Sequence, residues 1–269
     1  MDSVSWAAAW CIRHYRWSLT GILLLGLGLR MIRYGRLLFH ARDGYAYIQA
    51  AEIVTEQGWH AVFQVPAFSN MPPGFLWLLL SGQACGLSLE ITGMIWVLLF
   101  GILLTWAAYW CVYGLYHRIG FALLAALAIA TDSNLIRLGS SILRETPYYA
   151  CVLTAIGAGI WAIRKQQLRY WLIFVPVAAA AILIRKEGFE VLMIPMFWCA
   201  ISLPGQLWKR DWAQLRFIIG STLLVEGAVL FLLLPIQCYY VMEYQSQWEV
   251  IPQTWAGFIW SMFRTQLKS

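Results

Sequence analysis

Long apolar runs separated by short polar breaks occupy most of the chain. They fall at about 17–32, 91–116, 119–131, 146–163, 170–184, 189–203 and 217–236, and each reads as a membrane-crossing helix. Several are shorter than the ~20 residues of a perpendicular span, so flanking side chains must snorkel or the bilayer must thin. The pattern predicts an all-α fold, a polytopic transmembrane bundle of about seven spans forming a single domain over 1–269. No repeat or low-complexity stretch divides it. The first run follows Arg13, His14 and Arg16 without a small-x-small cleavage site, which predicts a retained anchor and not a removed signal peptide.

Two segments between the first two runs break the pattern. In "GYAYIQAAEIVTEQ" (44–57), Tyr45, Gln49, Glu52 and Glu56 recur at helical spacing, opposite Tyr47, Ala50, Ala51 and Val54. This predicts an amphipathic helix at the membrane interface, stopped by Gly58. In "PPGFLWLLLSGQACGLS" (72–88) a Pro-Pro start marks a helix N-terminus, and "SGQ" interrupts the apolar run. That segment reads either as a further span or as a second interfacial helix. The two would make the first outer loop, 36–90, a region of juxtamembrane helices.

Charge orients the bundle. With 72–88 not crossing, ten of thirteen acidic residues lie outside or at the outer boundary: Asp43, Glu52, Glu56, Glu90, Asp132, Glu145, Glu187, Glu190, Glu243 and Glu249. The inner loops "YHR", "RKQQLRY" and "KRDWAQLR" carry mostly bare positive charge, as topology determinants do. The outer segments instead set arginine beside acid: "RD" at 42–43, "RE" at 144–145 and "RKE" at 185–187. Cations on that side need another reason to be there.

Composition narrows the class. The 269 residues are 61% hydrophobic and 12% charged, against about a quarter charged in soluble domains, and the mean hydropathy is +0.65. Sixteen tryptophans and thirteen tyrosines suit interfacial anchoring. A net charge of +6 without an arginine-rich, aromatic-interleaved tract excludes nucleic acid as the evident partner. Cys11, Cys85, Cys111, Cys151, Cys199 and Cys238 show no CxxC spacing and read as small core residues. His40, Asp43 and His60 match no standard metal-ligand spacing, so no metal site is predicted.

The candidate chemistry lies in the outer segments. Asp43 stands at the start of the predicted helix, where a carboxylate can cap it or serve as a general base. Arg42 is its neighbouring countercharge, and Tyr45 and Tyr47 fit either sugar stacking or interfacial anchoring. Arg144 and Glu145, and Arg185, Lys186 and Glu187, mark helix ends or form a phosphate site, arginine binding bidentately and lysine as a point charge. Glu226, within the last run, is a buried ionisable group and a further candidate. Cys151 has no persuasive histidine partner as a nucleophile.

Assembled in order, "RDGYAYIQAAE", "MPPGFLWLLL", "SSILRETPYYA" and "LIRKEGFEVL" resemble the motifs of the GT-C superfamily of membrane glycosyltransferases. The likeness is to the protein-mannosyltransferase-like branch, which includes the lipid A aminoarabinose transferases, and covers about residues 18–236. The family often has Asp-Glu in the first motif; this chain has Asp43 and Gly44. Larger members carry further spans and often a soluble outer domain, whereas this chain ends about thirty residues after its seventh predicted span. A minimal enzyme, a partner subunit of a larger membrane glycosyltransferase and an inactive truncated product all fit that difference.

The resemblance implies inverting transfer of a sugar from a polyprenyl-phosphate donor to an acceptor hydroxyl of a protein, lipid or polysaccharide. It places the reaction at the outer face of a bacterial inner membrane. Asp43 would be the base, and Arg144, Arg185 and Lys186 would meet the leaving phosphate. No cofactor is required, and a divalent metal is compatible but not indicated. The alternative class is a transporter or flippase of a lipid-linked or anionic solute. It would be expected to show internal repeats and a site near the midplane, whereas the sequence shows no repeat and its charges gather at one surface.

Overall fold

The computed structural model describes residues 10, 12–35, 42–65, 68, 72–209 and 212–244, and every regular element among them is helical. The chain separates into two compact units, 1–229 and 230–269. The first holds the bundle and the candidate site. In the second, residues 230–244 are described and are helical.

The elements run α1 (Tyr15–Tyr34), α2 (Arg42–Gln57), α3 (Trp59–Gln64), α4 (Pro73–Gln83), α5 (Leu89–Tyr116) and α6 (Ile119–Thr131). They continue with α7 (Ser133–Leu138), α8 (Glu145–Lys165), α9 (Leu168–Ile184), a 3-10 turn (Lys186–Leu192), α10 (Met193–Lys209) and α11 (Trp212–Tyr244). Among the described residues, four segments are long and apolar enough to cross a membrane: Leu89–Tyr116, Glu145–Lys165, Lys186–Pro204 and Gln214–Leu234. Ile119–Thr131 and Leu168–Ile184 are apolar but shorter. This is the architecture of a helical membrane protein, with four helices long enough to span where the apolar runs suggested about seven.

Small residues build the centre. Helix α8 packs on α5 and α9, and its buried face includes Ala150, Ala155, Gly157, Ala158 and Gly159. Without bulky side chains there, helix backbones approach closely, which is how apolar helices associate where water supplies no driving force. At the far end of the pair, Arg164 Nη1 donates to the carbonyls of Gly114 and Leu115. These are terminal carbonyls of α5 that have no partner within their own helix. His117 and Gln166, both left-handed (φ 54° and 49°), end α5 and α8 and start the short returns into α6 and α9.

Local signals set the other boundaries. The Ser88 hydroxyl accepts from the Ile91 N–H at 3.3 Å and starts α5, and Asp132 Oδ1 accepts from the Leu135 N–H at 2.8 Å and starts α7. Pro73 occupies the first turn of α4, where a missing N–H costs nothing. Helix α4 has 11 residues, about 16 Å at 1.5 Å per residue, against a hydrocarbon core of about 30 Å. It is too short to cross by itself. Gly86 (φ 73°) and the Leu87 N–H bond to the Gly82 carbonyl (3.0 Å) close it.

Two boundaries differ from the sequence reading. The helix expected at 44–57 begins at Arg42, so Asp43 lies inside its first turn and is not its cap. The run at 189–203 does not start as one α-helix, since Lys186–Leu192 is a 3-10 turn before α10. The tight turn lets Gly188 lie against the backbone of α9, and a Cβ there would come within 2.5 Å of the Ala181 carbonyl carbon.

Candidate functional site

Helix α2 is half polar. Tyr45, Gln49, Glu52 and Glu56 are exposed, whereas Tyr47, Ile48, Ala50 and Ala51 are buried. The buried face joins Phe75, Leu76 and Leu79 of α4, together with Val97 and Ile142, in one apolar cluster. The period of 3.6 places Asp43 and Tyr47 one turn apart on neighbouring positions of the helix, the acid exposed and the phenol buried.

Tyr47 is the centre of the site. Its ring meets the edge of Phe75 (centroids 5.0 Å apart), and the Arg144 guanidinium sits over it at 5.8 Å. Burial pushes the phenol up to about 12; Arg144 and Arg185 pull it down, while Glu145 and Asp43 push it further up. Four charges from three separate stretches of chain therefore act on one hydroxyl. Arg185, just past the end of α9, repeats the arrangement over Tyr148, 5.4 Å from the ring centroid. It also donates through Nε to Glu187 Oε2 at 3.0 Å. Burial works against the Arg185 charge, but the Glu187 carboxylate outweighs it and raises the guanidinium above its ordinary value.

Three glycines set these distances. A Cβ on Gly44 would lie 2.6 Å from the Ile142 carbonyl oxygen, and one on Gly74 2.7 Å from the Leu183 carbonyl. Gly188 makes the third approach, to the end of α9 described above. Thus "RDG" is pressed against the stretch leading to Arg144, and "PPG" and "KEG" hold the end of α9 that leads to Arg185. A larger side chain at position 44 has no room, because that position faces backbone.

The structure therefore brings together Asp43, Tyr47, Arg144, Glu145, Arg185 and Glu187. Tyr45 and Lys186 are exposed; Tyr45 lies on the polar stripe of α2 and Lys186 on the 3-10 turn. The side chain of Arg42 lies outside the described residues, as do His40 and the side chain of His60. Among the described residues no three His, Cys, Asp or Glu side chains gather as a metal would require. Arg144 Nε and Glu145 Oε2 are shielded and have no hydrogen-bond partner there. An unsatisfied donor and an unsatisfied acceptor on consecutive residues suit a ligand bearing an anion and a hydroxyl. Glu226 also holds an unpaired buried oxygen, in α11 and apart from this cluster in sequence.

Sequence reasoning missed Tyr148, Phe75 and the three glycines. Tyr148 was visible as a tyrosine three residues after Glu145. The glycines were visible as the common last letter of "RDG", "PPG" and "KEG", a repeated placement that close backbone approach explains. No family model matches the chain, and no curated protein or solved structure matches it either.

Proposed function

We propose that this cluster is the active site of an inverting membrane glycosyltransferase using a polyprenyl-phosphate sugar. The supporting observation is the exposed Asp43 carboxylate one helical turn from a buried phenol on which Arg144 and Arg185 converge. Such a site offers a base open to an acceptor on one side and fixed positive charge on the other. The motif resemblance supplies the donor class and the inversion.

In this reading the acceptor hydroxyl gives its proton to Asp43 and its oxygen forms a bond to the anomeric carbon. The bond from that carbon to the phosphate oxygen breaks on the opposite face. The electron pair leaves with the lipid phosphate, whose growing charge meets Arg144, Arg185 and Lys186. Tyr47 and Tyr148 hold the two guanidiniums face-on, which limits their motion before the ligand arrives. Asp43 is a catalytic residue, and the arginines and Lys186 bind the leaving group. The acceptor is a protein, lipid or polysaccharide hydroxyl.

The membrane arrangement belongs to the same proposal. Helix α1, α6 and α9 cross along with the four longer segments to make seven spans, and α2 and α4 lie at the outer interface. The short helices cross where interfacial tryptophan, tyrosine and arginine anchor a locally thinned bilayer. The cluster then faces the periplasmic side of a bacterial inner membrane.

Reconstituted wild-type chain and Asp43→Asn, given a mixture of polyprenyl-phosphate sugars with lipid and protein acceptors, test the reading. We expect transfer in the wild type and a loss of about 10²-fold or more in the variant, with unchanged thermal unfolding. Equal transfer by both removes Asp43 from the chemistry. Silence from both, without donor binding, replaces the transferase with a partner subunit.

A further inference from the structure

A second cation, outside that cluster, is buried more completely than any member of it. Arg30 lies in the last turns of α1 and is 1% exposed. Its Nη1 donates to the Gly26 carbonyl at 2.9 Å. Its Nε and Nη2 are shielded and reach no acceptor among the described residues, and no carboxylate there is paired with it. A guanidinium stays protonated in proteins, so among the described residues this is a buried charge without a countercharge, an arrangement that a fold does not keep for stability.

The surroundings are shaped to it. A Cβ at Gly26 would stand 2.9 Å from Nη1, one at Gly101 2.8 Å from Nε, and one at Gly139 2.6 Å from Nε. Three glycines from three elements thus leave the space that the guanidinium fills. The pattern of unmet atoms is specific as well. Nε and Nη2 carry the two parallel N–H groups of the side edge of an arginine, the fork that takes two oxygens of one anion. A methionine would fill similar volume without the unpaired charge.

We propose that Arg30 anchors an anion site, binding two oxygens of a phosphate on its Nε–Nη2 edge. The phosphate is that of a lipid headgroup or a free phosphate. Its cover is shared by Gly101 of α5 and by the turn at 139–142, outside the regular helices, which presses Gly139 onto Nε. The same turn lines a narrow cleft with Tyr34, Met94 and Val97 that has no room for a water-sized sphere. Uncovering the fork requires this turn to move, which gives up the Gly139 N–H bond to the Leu135 carbonyl (2.9 Å) that ends α7. This site does not depend on the transferase reading and stands if Asp43 proves non-catalytic.

The test is thermal unfolding of the full chain in detergent, titrated separately with inorganic phosphate and with phosphatidic acid in mixed micelles, with diacylglycerol as the neutral lipid. The wild type should gain a saturable rise in Tm with at least one of the two anions and none with diacylglycerol. A rise with phosphatidic acid alone assigns the site to a lipid headgroup, and a rise with both assigns it to phosphate itself. Arg30→Met should unfold at the wild-type temperature or above without ligand and lose the anion-dependent rise. Arg30→Lys, with a charge but no fork, should bind at least tenfold more weakly. Gly139→Ala, whose Cβ crowds Nε, should also bind more weakly and carries the test if Arg30→Met fails to fold. No saturable rise in the wild type, or the same rise in the folded variants, overturns the proposal.

Discussion

The close approach at Gly44 makes the sharpest demand on the structure, and Gly44→Ala tests it. Two effects oppose each other. Alanine inside a helix gains about 0.5–1 kcal/mol over glycine through backbone entropy. At this position its Cβ would lie 2.6 Å from the Ile142 carbonyl oxygen, a contact that a rigid carbonyl cannot relieve by a rotamer change. Forcing a methyl into a packed contact costs about 1–3 kcal/mol, so the net is a loss of about 0–2.5 kcal/mol. Gly28, in α1, is the control, since nothing lies within 4 Å of the Cβ it would gain. There the entropic gain acts alone, and Gly28→Ala should be stabilised by about 0.5–1 kcal/mol. A thiol-reactive dye can read unfolding through the buried Cys111 and Cys151, in a background where Cys11, Cys85, Cys199 and Cys238 are serine. The expected order of Tm is Gly28→Ala, then wild type, then Gly44→Ala. If Gly44→Ala matches Gly28→Ala, α2 does not lie against the stretch leading to Arg144, and the cluster around Tyr47 is wrongly drawn.

Two other outcomes follow from the same cluster. Arg144→Lys keeps the charge but loses the planar group over Tyr47, so affinity for a polyprenyl-phosphate sugar should fall about tenfold, and further in Arg144→Ala, by donor-binding titration. The buried Tyr47 phenol, pushed up to about 12, favours the neutral form in the fold, whereas an unfolded tyrosine titrates near 10. Its contribution is complete below pH 10 and is lost as pH rises towards 12. Tyr47→Phe should flatten the alkaline fall in Tm over that window, and an unchanged fall would place the phenol in water.

How far the chain could be read without its structure differs element by element. Apolar runs of helical length placed each of the main helices, because an apolar segment must satisfy its backbone within itself and bury or embed its side chains. The two faces of α2 were legible for a related reason: the 3.6 period alone decides which residues share a side, and Tyr47 fell on the buried side as its position required. The arginines beside acids at 42–43, 144–145 and 185–187 were conspicuous as charge pairs next to apolar runs.

Which of those charges meet was decided by tertiary structure. Residues 43, 144 and 185 are far apart in the chain, and the distances between them depend on three backbone contacts made at Gly44, Gly74 and Gly188. A glycine in a sequence does not say whether its missing Cβ faces open space, as at Gly28, or a carbonyl, as at Gly44. The start of α2 at Arg42 and the 3-10 turn before α10 were hidden likewise, because both follow from what packs against them and not from local propensity. Arg30 was one charged letter at the end of an apolar run. Sequence determined that it would be costly there; only the packing of α1 on Gly101 and Gly139 decided that no described residue relieves the cost, and which edge of the guanidinium remains to be met.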